Sequence, residues 1–202
     1  MNPVSSVPDP IEFCKVLWPD VHFFDKQQEI LRSVRDNDLT LCVAANKVGK
    51  DFTAAAVVLW TYLVHPECRI VTTSVKDDHL RVLWGEIGRF IETSKVPLTK
   101  DKGGPLVVKH RDIRKVVNGT QCPISYLRGM VSERGEGMAG HHAAWTLCVI
   151  DEASGVSNVV FTQAETWAKR FLIFGNPNSP SPGADFFYKL VKQGDVVDPA
   201  SR

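Results

Sequence analysis

Ala44-Ala45-Asn46-Lys47-Val48-Gly49-Lys50-Asp51 is the stretch that decides the fold. An apolar run at residues 39–44 leads into it, and an Ala-rich run at residues 50–64, long enough for a helix and closed by His65-Pro66, leads out. A phosphate-binding loop requires this setting, because loop N–H groups and a helix N-terminus face the anion while a lysine reaches the β and γ phosphates. Against the pattern G-x-x-x-x-G-K-[ST], the first glycine is Ala44 and the hydroxyl residue is Asp51. The string alone therefore also fits an ordinary Gly-Lys turn before a helix. Its candidate nucleotide contacts are Ala45, Asn46, Lys47, Val48, Gly49, Lys50, Asp51 and Phe52.

Three more apolar runs, at residues 69–74, 146–151 and 170–175, are near-continuous rather than alternating, as strands buried on both faces of a parallel sheet are. With a second helix at residues 78–93, they spell an α/β fold: a mainly parallel sheet flanked by helices. The middle differs. Residues 106–117 alternate apolar and charged side chains, Asn118-Gly119 offers a tight turn, and residues 121–127 resume in extended style, which predicts an antiparallel flank. Residues 128–142 are rich in Gly and charge without a period and read as a loop bordering a site. Residues 177–183 read as a turn or linker, and residues 184–193 as a short helix.

The 202 residues, 44% of them hydrophobic, suffice for one domain or one domain plus a small appendage. With 24 Lys+Arg against 23 Asp+Glu, no global field draws the chain to nucleic acid, so any such contact is local. Five scattered cysteines suit reduced core residues better than disulfides or a zinc site. No run reaches the roughly 18 apolar residues of a membrane span, and the opening is polar and Pro-rich, so a cytosolic protein without export is expected.

Thr146-Leu147-Cys148-Val149-Ile150-Asp151-Glu152-Ala153 is an apolar strand ending in two acids. In this arrangement an Asp holds magnesium through its waters and the next Glu activates the attacking water; two acids that merely cap a strand would look the same. Both motifs would project from the carboxyl edge of one sheet, where such sheets bind ligands. Phe171-Leu172-Ile173-Phe174-Gly175-Asn176-Pro177 places Asn176 at that edge, either as a sensor of the γ-phosphate or as a plain strand exit. Sensing requires that this strand lie between the other two. Upstream, His22-Phe23-Phe24-Asp25-Lys26-Gln27 joins aromatics to a glutamine whose amide could pair with adenine, or which is simply a surface residue.

Taken in order, the Gln-bearing segment, the deviant Walker A loop, the Val-Ile-Asp-Glu-Ala Walker B strand and the strand ending in Gly-Asn-Pro resemble the ATPase domain of tailed-phage terminase large subunits, as does the run at residues 135–142. The resemblance covers roughly residues 20–180. It implies a P-loop, RecA-like ATPase using ATP and magnesium (Mg2+), in which Gln27 reads adenine, Lys50 binds phosphate, Asp151 holds the metal, Glu152 is the base and Gly175 and Asn176 form the coupling motif. Asp51 would ligate the metal more strongly than a hydroxyl, repel phosphates without metal, or serve only as a helix-start acid. Family members take an arginine from a neighbouring subunit, for which Arg128 and Arg134 stand in the right region.

The family's partners are double-stranded DNA, the portal protein and the small terminase subunit. Its setting is a homo-oligomeric ring docked on the procapsid in the cytoplasm of the infected host cell, while the domain in isolation is expected to be monomeric and weakly active. On this reading residues 1–20 are an N-terminal extension, residues 21–180 the ATPase domain and residues 181–202 a linker or short helix, with no room for the family's nuclease domain. Lys109, Arg111, Arg114 and Lys115 are candidates for gripping DNA phosphates, or else line a solvated strand face. The competing functions are a helicase-like or other DNA-dependent ATPase, and a non-hydrolysing nucleotide-binding assembly module decayed at Ala44 and Asp51.

Overall fold

The computed structural model describes residues 7–43, 48–132, 135, 137–176 and 182–193. Five strands run parallel: β1 (Leu39–Val43), β8 (Arg170–Gly175), β7 (Trp145–Ile150), β2 (Cys68–Thr73) and β6 (Tyr126–Gly129). Beyond β6 the sheet continues antiparallel with β4 (Asp112–Val117) and β3 (Leu106–Lys109), giving the order β1-β8-β7-β2-β6-β4-β3, and β5 (Thr120–Gln121) pairs with β4. The expected insertion of residues 170–175 between the loop strand and the acid strand is thus observed.

Burial on both faces explains the continuous apolar runs. Ile70, Leu147, Val149, Leu172 and Phe174 face one core, shared with α1 (Pro10–Leu17), α2 (Asp25–Asp36), α3 (Lys50–Val64) and α4 (Asp77–Thr93). Their chain neighbours Val71, Cys148, Ile150 and Ile173 face a second core with α5 (Asn158–Glu165) and α6 (Phe186–Gln193). Residues 53–62 of α3 are all buried, so this helix is apolar all round rather than amphipathic. Cys14, Cys68 and Cys148 are buried, and Cys42 and Cys122 are half-buried. No helix among the described residues is long and apolar enough to cross a membrane.

Several expectations need correction. Residues 106–117 are two strands, not one: Lys109 pairs with Asp112 across a two-residue turn at His110-Arg111. Asn118-Gly119 does form the tight turn, with both residues left-handed and Val117 opposite Thr120. Residues 121–127 resume the antiparallel pairing only after an interruption: the Cys122 amide still donates to the Lys115 carbonyl at 2.8 Å, and the chain then leaves β4 and returns to it as β6, with Leu127 opposite Ile113 and β2 on the other side. Arg128 and Gly129 belong to β6, so the glycine-rich segment starts only after them. Residues 10–17, placed in an extension, form α1 inside the main core: the Trp18 indole donates to the Phe90 carbonyl at 2.7 Å and meets the Phe90 ring edge-on. The helix at residues 158–165 has no counterpart in the sequence reading.

Candidate functional site

The carboxyl ends of β1, β8, β7 and β2 lie along one edge, and each releases a segment carrying a candidate residue. After β1 the chain passes through Gly49, whose φ of 80° is left-handed backbone that a residue with a Cβ adopts only under strain. An added Cβ there would also stand 2.9 Å from Gln27 Nε2. Gly49 starts α3, with its carbonyl accepting from the Thr53 amide at 3.0 Å, so Lys50 and Asp51 occupy the helix's first turn.

The Lys50 ammonium hydrogen-bonds Glu152 Oε1 and lies 3.2 Å from Asp151 Oδ1. One lysine in the first turn of α3 thus neutralises both acids two strands away. Burial opposes the charged ammonium, but the hydrogen bond it donates to Glu152 and the charge of Asp151 outweigh it and hold the Lys50 pKa above its ordinary value. Burial pushes the Asp151 carboxyl up, with Lys50 holding it back. Asp51 is also pushed up, to about 6, first by burial and then by the charge of Asp151, which places its carboxylate within electrostatic reach of the same acids. Glu152 has φ 51° and ψ 43°, a left-handed conformation that costs a non-glycine residue on the order of 1–2 kcal/mol and concentrates at functional sites.

The residues present suit a magnesium nucleotide. Asp151 Oδ1 is enclosed and, apart from the Lys50 ammonium 3.2 Å away, has no partner among the described residues, so a buried acceptor stands beside the lysine. Gln27 is buried against the loop glycine; its Oε1 accepts from the Phe24 amide at 3.1 Å, which leaves Nε2 to donate, and Phe24 beside it is 78% exposed. Gly175 pairs with Val43 at the end of β1, so Asn176 leaves the sheet next to the start of the loop. A Cβ on Gly175 would fall 2.5 Å from the Phe187 ring, so glycine permits α6 to seat directly on this strand end.

Other candidates fare differently. Ala45, Asn46, Lys47 and Arg134 lie outside the described residues. Val48 is exposed at the loop's end. Phe52 turns away from the loop into an aromatic cluster with Phe23 and Phe90, so only its backbone is near the site. Arg128 bonds Asp112 through Nε and Nη2 and lies over the Tyr126 ring. Of the four proposed grip residues, Lys115 is buried and donates to the His65 carbonyl, Arg114 is taken by Asp112, and Arg111 by Asp77. Only Lys109 stays exposed with no such partner among the described residues.

One residue at the site carries no motif. His79, in the first turn of α4 directly after β2, places Nδ1 3.9 Å from Glu152 Oε1, and ligand atoms of His79, Asp151 and Glu152 lie within 4.8 Å of one another. The available signal is positional: the first helical turn after any parallel strand sits on the rim of the ligand crevice.

No protein-family model and no curated protein matches the chain. Solved structures do. The large terminase ATPase domain of Thermus phage P74-26 superposes with a TM-score of 0.59 at 13% identity, over 88% of this chain and 72% of that one. The large terminase of bacteriophage HK97 gives 0.62 at 15% identity, over 96% of this chain and 42% of that one. The large terminase of a thermophilic bacteriophage, in complex with ADP, gives 0.52 at 17% identity, over 76% of this chain and 38% of that one. The chain thus spans less than half the length of the latter two. It has the fold of phage large terminase ATPase domains, a mainly parallel sheet flanked by helices with added antiparallel strands.

Proposed function

We propose that this chain is the ATP-hydrolysing motor domain of a terminase large subunit, which drives double-stranded DNA into a viral capsid. The observation that carries this reading is the contact of Lys50 with Glu152 and Asp151 across β8 at the carboxyl edge of the sheet. Phosphates entering at the start of α3 offer Lys50 a stronger anionic partner than two carboxylates and draw it towards them. Glu152 is thereby freed to accept a proton from the attacking water, extending from a backbone fixed at the rim of the sheet. Magnesium would be held by Asp151, with Asp51 facing the same ion, and would supply charge neutralisation at the β and γ oxygens. Gln27 donates to the base from beside the loop. Asn176, next to the loop, senses the terminal phosphate, and the seat of Phe187 on Gly175 passes a shift of that strand end to α6.

Contact with DNA is placed on phosphates, as suits a motor indifferent to sequence. Lys109 is the available cation of the antiparallel flank, and the portal, the small subunit and neighbouring copies in a ring are the partners the reading requires. The test is nucleotide binding and phosphate release by two variants. Glu152→Gln should abolish hydrolysis with nucleotide affinity largely kept, and Lys50→Ala should weaken binding itself. Equal loss of affinity in both would refute these roles, and binding without any phosphate release by the native chain would favour an assembly module instead.

A further inference from the structure

We propose that His79 is the positioning residue for Glu152, holding its carboxylate once nucleotide has drawn Lys50 away; this rests on the ATPase reading above. Among the described residues the Glu152 carboxylate has one strong partner, the Lys50 ammonium on Oε1. Hydrolysis requires that this lysine serve the phosphates instead, and at that moment the base would lose what orients it. Glu152 keeps its left-handed backbone but has three free side-chain torsions, and an unheld carboxylate samples many positions relative to the water. Among the described residues recorded beside it, His79 is the remaining nitrogen donor, with Nδ1 3.9 Å from the oxygen that Lys50 vacates. Closing that gap to a hydrogen bond takes about 1 Å, within the reach of a side-chain rotation. An imidazole with a proton on Nδ1 donates to Oε1 whether neutral or charged, and Oε2 is left to take the proton of water.

His79 is itself fixed in place. It sits in the first turn of α4, shortly after the end of β2, and the Asp151 amide donates to the Thr73 carbonyl at 2.9 Å, tying the ends of β2 and β7 together. Two residues before it, Asp77 is gripped by both terminal nitrogens of Arg111 from the β3–β4 turn, with Nη2 at 2.8 Å from Oδ2. Arg111 holds the Asp77 carboxyl down at about 2, so the clamp persists at any working pH. The histidine is thus presented by a helix anchored at its first residue and at the strand that precedes it, as a group that must hold another in register requires.

Steady-state ATP hydrolysis by the native chain, His79→Ala and His79→Asn tests the assignment. His79→Ala should lower kcat roughly 10- to 100-fold with KM for ATP nearly unchanged. His79→Asn, whose Nδ2 occupies the place of the imidazole Nδ1, should recover most of the loss. A packing role would not distinguish Asn from Ala in this way, and an unchanged kcat in His79→Ala would overturn the proposal. A second measurement does not depend on turnover. With magnesium and a non-hydrolysable ATP analogue bound, the His79 Nδ1–H proton should give a protected downfield NMR resonance that disappears in Glu152→Ala. A resonance indifferent to Glu152→Ala would overturn the positioning role while leaving the ATPase reading intact; failure of the native chain to bind the analogue would remove that reading, and this inference with it.

Discussion

Asp51 stands where a hydroxyl residue completes the usual phosphate loop, and its carboxylate is close enough to Asp151 for their charges to oppose one another. Three acids around one lysine leave the site over-supplied with negative charge until a cation arrives. Nucleotide binding should therefore depend steeply on magnesium, because without it Asp51 repels what the helix terminus attracts. Asp51→Asn should bind metal-free nucleotide more tightly than the native chain and hydrolyse it more slowly; isothermal titration with and without magnesium checks this, and equal affinities in both conditions would reduce Asp51 to a helix-start acid. Glu152 makes a separate claim on stability. Since its backbone is left-handed, Glu152→Gly should unfold at a higher temperature than Glu152→Ala, by an amount equivalent to about 1 kcal/mol, although both variants lose the lysine contact. Lys50, Asp151 and Glu152 are legible in the sequence because each ends or begins an apolar run. His79 is not, because its nearness to Glu152 comes from the pairing of β2 with β7, which no local pattern states.

Among the elements, those buried on both faces announce themselves, and β8 and α3 are bounded to the residue. Where the sequence misleads, the turn chemistry is mute: His110-Arg111 contains no glycine, proline or asparagine, so the β3–β4 hairpin reads as one alternating strand. At α1 the signal is present but sits in an unpromising place. Asp9 caps the helix by accepting from the Ile11 amide at 2.9 Å, Pro10 follows and Glu12 stands in the first turn, a start signature hidden in a Pro-rich leader. His65 ends α3 and stacks on Trp145 at the start of β7, centroids 3.8 Å apart, with Nε2 buried and unbonded. Burial first, then Arg170 and Lys115, push its pKa from 6.5 down to about 4. The unfolded chain therefore takes up this proton near pH 6.5 and the folded chain only near pH 4, so stability present above that window is lost as pH falls through it, on the order of 2 kcal/mol. Thermal unfolding from pH 7 to pH 4 should show this loss, and His65→Phe, which keeps the stack without the titration, should flatten it.

For the molecule as a whole, the sequence conveys the layer architecture and the place of β8 between β1 and β7, but not the extent of the core. Helix α1 packs into the core on one face of the sheet and α6 into the core on the other. A trans-acting arginine also belongs to this scale. Arg128 is committed to Asp112 within its own chain and would have to leave that ion pair to serve a neighbour. If any arginine acts across a subunit boundary, the turnover rate per chain should climb with protein concentration, since the missing group is worth roughly 10³–10⁵ in rate. Full activity in a sample shown by sedimentation to be monomeric would exclude such an arginine, and Arg128→Ala compared with Arg134→Ala would identify it otherwise. A last consequence belongs to β8. Because it pairs with β1 on one side and β7 on the other, the reach from lysine to acids is set by two inter-strand spacings of about 4.8 Å each. That measuring rod is made of backbone amides and carbonyls, which nearly every residue type supplies alike, so side chains along β8 can drift without altering the gap the lysine must span.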